Sequence, residues 1–236
     1  RFECKLSQDI PYYGKAVFYR RAGERQSFYL DSNTERLKTG KASLVAKAPH
    51  WKVGAPSKNL GLIPVTQGRK PIALGQKMSD RILSELFQGY EMVMTRQPWY
   101  GSERSVKVAM TPILFRSAYS SYLDCLSVLL PVNFDQIART PIYFPSGSEI
   151  LNDSELRKLD NVVLYVNADP SVEAFYIDGH TDSKGDRAEN LELSKMRAEM
   201  VAQYLISRGV DDTKITSRWH GERYPVASNR SRNGRS

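Results

Sequence analysis

The stretch YIDGHTDSKGD at residues 176–186 places three carboxylates, a histidine, a threonine and two glycines at the end of an apolar run. The run itself, VEAFYIDG at residues 172–179, alternates well enough to predict a strand with one buried face. NLELSKMRAEMVAQYLISRG at residues 190–209 repeats apolar residues at helical spacing. The quoted stretch is therefore predicted to be the loop between a strand and a helix.

Strands and helices alternate on both sides of this loop. The helix that follows it has a predicted buried stripe of Leu193, Met196, Met200, Val201, Tyr204 and Leu205. An earlier helix begins at a capping residue, Asn152 or Asp153, and must end before Pro170. Strands are also predicted at residues 140–144 (TPIYF) and 214–221 (KITSRWHG). This part of the chain therefore has the order strand, helix, strand, helix, strand.

The first part of the chain has aromatic and β-branched runs separated by turn residues. AVFYRRAGERQSFYL at residues 16–30 predicts a hairpin around a glycine-containing turn. Further predicted strands are ASLVAKA (42–48), YEMVMTR (90–96) and SVKVAMTPILF (105–115). MSDRILSELFQG at residues 78–89 predicts a short helix, with Ser79 as its N-cap and Gly89 at its end. Periodicity leaves SSYLDCLSVLL at residues 120–130 as either a second helix or a buried strand.

This change of pattern predicts an α+β protein of two domains. Residues 1–136 form a β-rich domain with one or two short helices, and residues 137–236 form the domain that contains the quoted loop. The charge follows the same division, with 20 Lys and Arg against 11 Asp and Glu in the first domain and 14 against 15 in the second. The basic excess indicates an acidic or anionic partner for the first domain, or a surface kept basic for solubility.

Composition and cysteine content indicate a protein that folds without a membrane in an oxidising compartment. Of the 236 residues, 41% are hydrophobic, and no apolar run approaches the roughly 18 residues that a membrane span requires. The sequence begins RFECKL without an initiator methionine, which is typical of a processed product and compatible with export. Cys4 and Cys125 lack the spacing of a zinc site, so a disulfide is favoured over two buried free thiols.

Residues spread over the second domain resemble the pattern of a known family. They are GHTD at 179–182, Gly185, Asn190, LSKMRA at 193–198, GV at 209–210, HGERYPVASN at 220–229 and the final GR. From near Thr140 to the end, the chain resembles OmpA-like peptidoglycan-binding domains. The resemblance implies a βαβαβ two-layer sandwich that binds peptidoglycan and catalyses nothing.

The resemblance also implies a ligand and the residues that grip it. Diaminopimelate in a peptidoglycan stem peptide ends in an ammonium and a carboxylate, so its site needs one fixed anion and one fixed cation. Asp182 and Arg197 match the family's ligand-gripping aspartate and arginine. Thr181 and Asn190 are expected to brace the loop or contact the ligand. The alternative interpretation is a structural salt bridge between Asp182 and Arg197.

The sequence departs from the family pattern at two places. Relatives commonly have an aspartate after the phenylalanine of the first strand, where this chain has Pro145. A contribution from this loop would therefore come from Ser146, Gly147 or the backbone. Relatives also continue beyond the GR with a short basic segment, whereas this sequence stops at Ser236.

Two catalytic interpretations use the residues of the same loop. Asp178, His180, Asp182 and His220 imitate a metal site, but no HExxH or supporting pattern favours zinc. Asp178 and Asp182 also form a carboxylate pair, but they are too close in sequence, and too near the predicted Arg197, to flank a sugar ring as glycoside hydrolysis requires. The sequence therefore predicts no catalytic residue, metal or cofactor, and His180 is expected to be a structural hydrogen-bonding residue.

The first domain carries a resemblance of its own. RFECKL at residues 1–6 and KAVFYRRAGERQSFYL at residues 15–30, ahead of an OmpA-like domain, resemble the MotY family of the sodium-driven polar flagellar motor. The resemblance implies a periplasmic component of the T ring, associated with the flagellar basal body and the cell wall. It implies that the first domain contacts the basal body and the companion protein MotX, and that the chain helps to place the stator complex for motility.

One other interpretation of the whole chain stays open at this point. The same wall-binding domain could belong to another periplasmic or outer-membrane-associated anchoring protein with an unrelated partner domain. Ring assembly is expected in the first case, and no nucleic-acid partner is expected in either.

Overall fold

The computed structural model describes residues 1–49, 54–101 and 103–223. The chain divides into two compact units, Arg1–Leu130 and Pro131–Ser236. The division between the units follows Leu130, six residues before the boundary after residue 136 that the sequence pattern indicates. In the described part of the chain, no helix combines the length and the apolar character that crossing a membrane requires.

The first unit consists mainly of antiparallel strands. Its elements are β1 (Glu3–Ile10), β2 (Gly14–Arg21), β3 (Ser27–Ser32), β4 (Gly40–Lys47), β5 (Lys58–Val65), β6 (Ala73–Leu74), α1 (Gln76–Phe87), β7 (Glu91–Arg96), β8 (Val106–Met110) and α2 (Phe115–Ser127). One sheet has the order β1-β2-β3-β6 and the other β5-β4-β7-β8. The predicted hairpin is confirmed, since β2 pairs with β3 and places Phe18 opposite Phe28.

Strand alternation forms the core of this unit. In β3, Phe28 and Leu30 are fully buried and Tyr29 between them is half-buried. In β4, Leu44 is likewise fully buried between two half-buried residues. Alternate side chains of a strand point to the same face of its sheet, so the buried residues of each strand lie on one face. The rings of Phe18 and Phe28 lie 4.9 Å apart in a tilted contact, which adds a specific aromatic pair to the apolar burial.

The predicted helix in this unit forms as α1, but Ser79 is not its N-cap. The N-cap position is Gly75, and Ser79 lies buried inside the helix. Its hydroxyl donates to the carbonyl oxygens of Leu74 and Gly75 at 3.3 and 3.0 Å. Gly89 follows the helix with φ +88°, as expected of a glycine that ends a helix.

The second helix settles the region that periodicity left open. Most of SSYLDCLSVLL lies in α2, so this stretch is helical rather than a buried strand. The strand predicted over residues 105–115 is wrong beyond β8, because the next residues include a proline without an N–H and the chain turns at Leu114 into the helix. A disulfide joins Cys4 of β1 to Cys125 of α2, which confirms the predicted pairing.

The second unit has two layers, a small parallel sheet and helices packed on it. Its elements are α3 (Phe134–Ile137), α4 (Asp153–Ala168), β9 (Phe175–Gly179), α5 (Arg187–Ser207), a 3₁₀ turn (Asp212–Lys214) and β10 (Ile215–Trp219). β9 and β10 pair in parallel. Leu159 and Val163 of α4 and Val201 and Leu205 of α5 share one apolar cluster, against which Ile177 of β9 packs. Asn152 caps α4 as predicted.

The strand predicted at residues 140–144 does not form. The N–H of Tyr143 donates to the Glu155 carboxylate at 3.1 Å, and the carbonyl of Pro141 accepts from the Lys158 ammonium at 3.1 Å. Two backbone groups that a strand would pair are therefore bonded to side chains of α4. Pro141 also lacks an N–H, which makes ladder pairing poorer.

The predicted buried stripe of α5 is confirmed at Val201 and Leu205 and wrong at Met196 and Met200. Met196 and Met200 are 38% and 36% exposed, whereas Ser194, Arg197 and Ala198 are buried. A side chain at Gly179 would collide with the backbone of Ser194, so β9 approaches the helix closely at this point. Because the strand and the helix are so close, the residues of α5 at this contact are small, namely Ser194 and Ala198. Arg197 is buried between them in the sequence.

Candidate functional site

Arg197 is the centre of the candidate site. Its side chain is buried, and its guanidinium donates from Nε to the carbonyl of Ser148 at 3.0 Å, from Nη1 to that of His180 at 3.3 Å and from Nη2 to that of Pro145 at 3.1 Å. Its carbon lies 5.1 Å from the centre of the Phe144 ring. A guanidinium has five N–H groups, so one on each terminal nitrogen has no partner among the described residues.

The loop that supplies two of these carbonyls is a tight turn. The N–H of Ser148 donates to the carbonyl of Pro145 at 3.0 Å, and Gly147 between them has φ +68°. A residue with a Cβ is strained at this angle, and glycine is not. Ser146 and Gly147 are exposed, so the turn lies beside Arg197 with its two central residues open to solvent.

Asp182 faces the same region from the loop after β9. It is half-buried, and its Oδ1 accepts the backbone N–H of Lys184 at 3.1 Å. Within the described chain, no ion pair joins Asp182 to Arg197. Burial lowers the pKa of Arg197, and the charges of Asp182 and Glu149 act in the opposite direction. The two predicted side chains are therefore near enough to interact electrostatically without neutralising each other in a contact.

The other two carboxylates of the opening stretch have structural partners. Asp178 makes two 2.7 Å bonds with Arg218, and its Oδ1 lies 2.9 Å from Nε2 of His220. Asp186 caps α5 and accepts the first backbone N–H groups of that helix, those of Ala188 and Glu189. Backbone N–H groups at a helix start can help to bind a ligand carboxylate, but these two are already occupied by Asp186.

Thr181 and Asn190 hold the loop in place. The N–H of Thr181 donates to the carbonyl of Gly221, and the Asn190 amide donates to the carbonyl of Lys184 at 3.0 Å and to the Glu222 carboxylate at 3.3 Å. Asn190 is therefore a brace of the loop. The Thr181 hydroxyl is buried and has no hydrogen-bond partner among the described residues, so it keeps a donor for a further group.

The two histidines near the loop lie against each other. The rings of His180 and His220 are 5.0 Å apart and nearly parallel, and the carbonyl of His180 accepts from Arg197. In the part of the chain that the structure describes, no group of three or more His, Cys, Asp or Glu side chains is placed to hold a metal ion. His180 therefore contacts the site through its backbone carbonyl, and the structural role of its side chain stays a prediction.

Three contributors to this site were not predicted from the sequence. Phe144 lies under the guanidinium, Glu149 adds a second negative charge near it, and Ser148 supplies a carbonyl. All three lie within three residues of Gly147. The sequence feature that could have indicated them is therefore the turn sequence PSG at residues 145–147. A cavity of about 1150 Å³ within this unit includes Phe144, Asp182 and Arg197 in its lining.

The class to which the second unit belongs follows from its sequence relatives. The model of the OmpA family matches residues 143–236. A peptidoglycan-associated lipoprotein of Buchnera aphidicola is 32% identical over 106 residues, which are 43% of this chain and 61% of the relative. The crystal structure of a peptidoglycan-associated lipoprotein from Burkholderia pseudomallei aligns with 28% identity and a TM-score of 0.39, covering 42% of this chain and 83% of that one. The second unit is an OmpA-like domain.

The chain as a whole belongs to the MotY family, because the model of the MotY N-terminal domain matches residues 1–131, more than half of its length. The sodium-type flagellar protein MotY of Vibrio parahaemolyticus is 29% identical over 232 residues, which are 96% of this chain and 78% of the relative. These relatives are flagellar and peptidoglycan-associated proteins rather than enzymes, in agreement with the predicted lack of catalysis.

Proposed function

We propose that the second unit anchors the chain to the cell wall by gripping a diaminopimelate side chain of a peptidoglycan stem peptide. Asp182 accepts from the ammonium of the ligand, and Arg197 donates to its carboxylate. The observation that carries this proposal is the state of the two groups: a buried guanidinium with unused N–H groups lies near a carboxylate that is not paired with it.

The carbonyl partners of Arg197 suit this role. Carbonyl oxygens satisfy a guanidinium without neutralising its charge, so a buried cation is left with an uncompensated charge, which is costly in a poorly solvated place. An incoming carboxylate removes that cost and gains charge-assisted hydrogen bonds. The bonds to Pro145, Ser148 and His180 also fix the plane of the fork before the ligand arrives, which reduces the entropy lost on binding.

The remaining predicted residues complete the site in different ways. Thr181 has an unused buried hydroxyl beside Asp182, which supports a contact with the ligand. Asn190 keeps the loop in shape through its bonds to Lys184 and Glu222. Ser146 and Gly147 stand at the open side of the turn, where they border the ligand.

Co-sedimentation with purified peptidoglycan sacculi tests this proposal. Asp182→Ala, at a half-buried position with one backbone bond, is expected to keep the fold and to weaken binding about tenfold or more, as the loss of a charge-assisted contact requires. Asp178→Asn is the matched control, because it removes a carboxylate of the same stretch that is paired with Arg218. Undiminished binding by Asp182→Ala would rule out the grip.

We further propose that the chain is a periplasmic motor component and that its first unit binds the flagellar basal body and MotX, so that the stator complex is placed around the rotor. Membership of the MotY family and the basic excess of residues 1–136 support this role. Sedimentation of the full chain with isolated hook–basal bodies tests it. An anchoring protein of another kind would sediment with sacculi and would not sediment with basal bodies.

A further inference from the structure

Two neighbouring aromatic residues stand on the exterior of the first unit. Trp99 and Tyr100 follow β7 and are 62% and 59% exposed. Their ring centres are 5.9 Å apart, and the rings meet edge to face. We call these two residues the aromatic tip. Exposing two large aromatic side chains to water gains nothing for folding.

The aromatic tip is held firmly by the segment before β4. The indole N–H of Trp99 donates to the carbonyl of Glu35 at 2.9 Å, and its backbone N–H donates to the carbonyl of Arg36 at 3.3 Å. The N–H of Lys38 donates to the carbonyl of Gln97 at 2.9 Å. The backbone at Gln97 and the side chain of Trp99 are therefore fixed, so a partner would meet an indole ring that is already ordered.

Basic residues are concentrated in the two chain segments that meet at the aromatic tip. The guanidinium of Arg96 donates to the carbonyls of Lys38 and Thr39, which places these residues at one end of the second sheet. In β8, Lys107 pairs with Thr95, the residue before Arg96 in β7. Lys107 therefore lies at the same end of the second sheet as Arg96. Residues 33–41 and 96–107 together carry six Lys and Arg against two Glu.

We propose that the aromatic tip is the point at which the first unit docks onto an acidic protein surface of the flagellar basal body. The inference rests on the proposed function of that unit and assigns it a surface. Tryptophan, tyrosine and arginine are the residues that most often dominate the energy of protein interfaces. The positive charge of these two segments favours a partner with carboxylates around an apolar pocket and speeds the encounter.

A protein partner fits this surface better than an anionic membrane. The Trp99 indole N–H is bonded inside the protein, whereas an interfacial tryptophan uses that group at the headgroup level.

The test is sedimentation of the full chain with isolated hook–basal bodies. Trp99→Ala and Tyr100→Ala are each expected to weaken binding about 30-fold, the effect of truncating a typical hot-spot residue. Lys38→Glu with Lys107→Glu should weaken it further and reduce its dependence on salt. Tyr12→Asn is the matched control, because Tyr12 is a 92% exposed aromatic residue at φ +61°, an angle that asparagine tolerates. It should bind like the parent chain.

Each other outcome has a definite meaning. If the parent chain binds basal bodies and the aromatic-tip variants bind equally, this inference is wrong and the proposed function stands. If the parent chain does not bind them, the proposed motor role fails and this inference with it. If the parent chain instead sediments with vesicles containing anionic phospholipid, and Trp99→Ala does not, the surface is a membrane contact. Unchanged sacculus binding in every variant shows that the second unit is intact.

Discussion

The two units of the chain differ in whether their candidate functional residues are exposed or buried. In the first unit the largest fully buried side chains are all apolar, among them Phe18, Phe28 and Leu44, and its candidate functional residues stand outside. In the second unit the candidate site includes the buried side chains of Arg197 and Asn190, each of which donates hydrogen bonds to the loops around it. An exterior site can be changed without touching the fold, whereas an interior polar site carries function and stability together.

The disulfide gives the largest expected contrast between the units. Cys4 and Cys125 close a loop with a sequence separation of 121 residues. Replacing both with serine should lower the unfolding free energy of the first unit by about 5 kcal/mol, since the unfolded chain regains the entropy of that loop. Hydrogen exchange of the full chain should show faster exchange in the first unit and no change in the second. Equal protection in both units would contradict this account.

Replacing Arg197 with methionine should harm both fold and function. The carbonyls of Ser148 and His180 lose their donor and that of Pro145 keeps only the N–H of Ser148, so the second unit should lose about 3 kcal/mol, the cost of leaving acceptors unsatisfied. Binding to sacculi should be abolished. Arg187→Met, at the exposed first residue of α5, is the control. A stable variant that no longer binds would show that the arginine serves the ligand alone.

High pH should affect the first unit through Tyr122. Burial raises the pKa of Tyr122 to about 12, above the value of about 10 in an unfolded chain. Between these values the unfolded chain loses the phenol proton and the folded chain keeps it, so stability falls as the pH rises, by about 1.4 kcal/mol per pH unit. Denaturant unfolding of Tyr122→Phe at about pH 9 and about pH 11 should show a smaller decline than the parent chain. Identical declines would exclude Tyr122 as the cause.

Low pH should affect the second unit, more weakly, through Asp178. Hydrogen bonds from Arg218, and then from His220, hold the pKa of Asp178 at about 2, although burial opposes them. This stabilisation is present above about pH 4 and is lost as the pH falls towards 2. Because both partners are partly exposed and screened, about 1 kcal/mol is expected. Acid unfolding of Asp178→Asn should lack this component, and an unchanged acid transition would show that the pair is not stabilising.

The sequence predicted what depends on residue identity and spacing. The two cysteines predicted the disulfide, and the resemblance to OmpA-like domains indicated Asp182 and Arg197 through the GHTD and LSKMRA motifs, whose role in binding stays a prediction. The carbonyl cradle of Arg197 could not be predicted, because backbone oxygens have no residue signature and come from two distant loops. The strand expected at residues 140–144 failed for a related reason: side chains of α4 compete for its backbone groups.

The buried stripe of α5 shows a second limit. Apolar periodicity correctly selected Val201 and Leu205 but also selected Met196 and Met200, which are partly exposed, while Ser194, Arg197 and Ala198 are buried. The contact at Gly179 decides the rotation of the helix, and periodicity carries no information about it.

The central claim is that one fixed anion and one fixed cation grip a zwitterionic side chain, and a change in the ligand tests it without altering the fold. Calorimetric titration of the full chain compares a stem peptide containing diaminopimelate with the same peptide containing lysine, which keeps the ammonium and lacks the carboxylate. We expect the lysine peptide to bind at least about tenfold more weakly, since Arg197 loses a charge-assisted contact. Equal affinity for the two peptides would contradict the account.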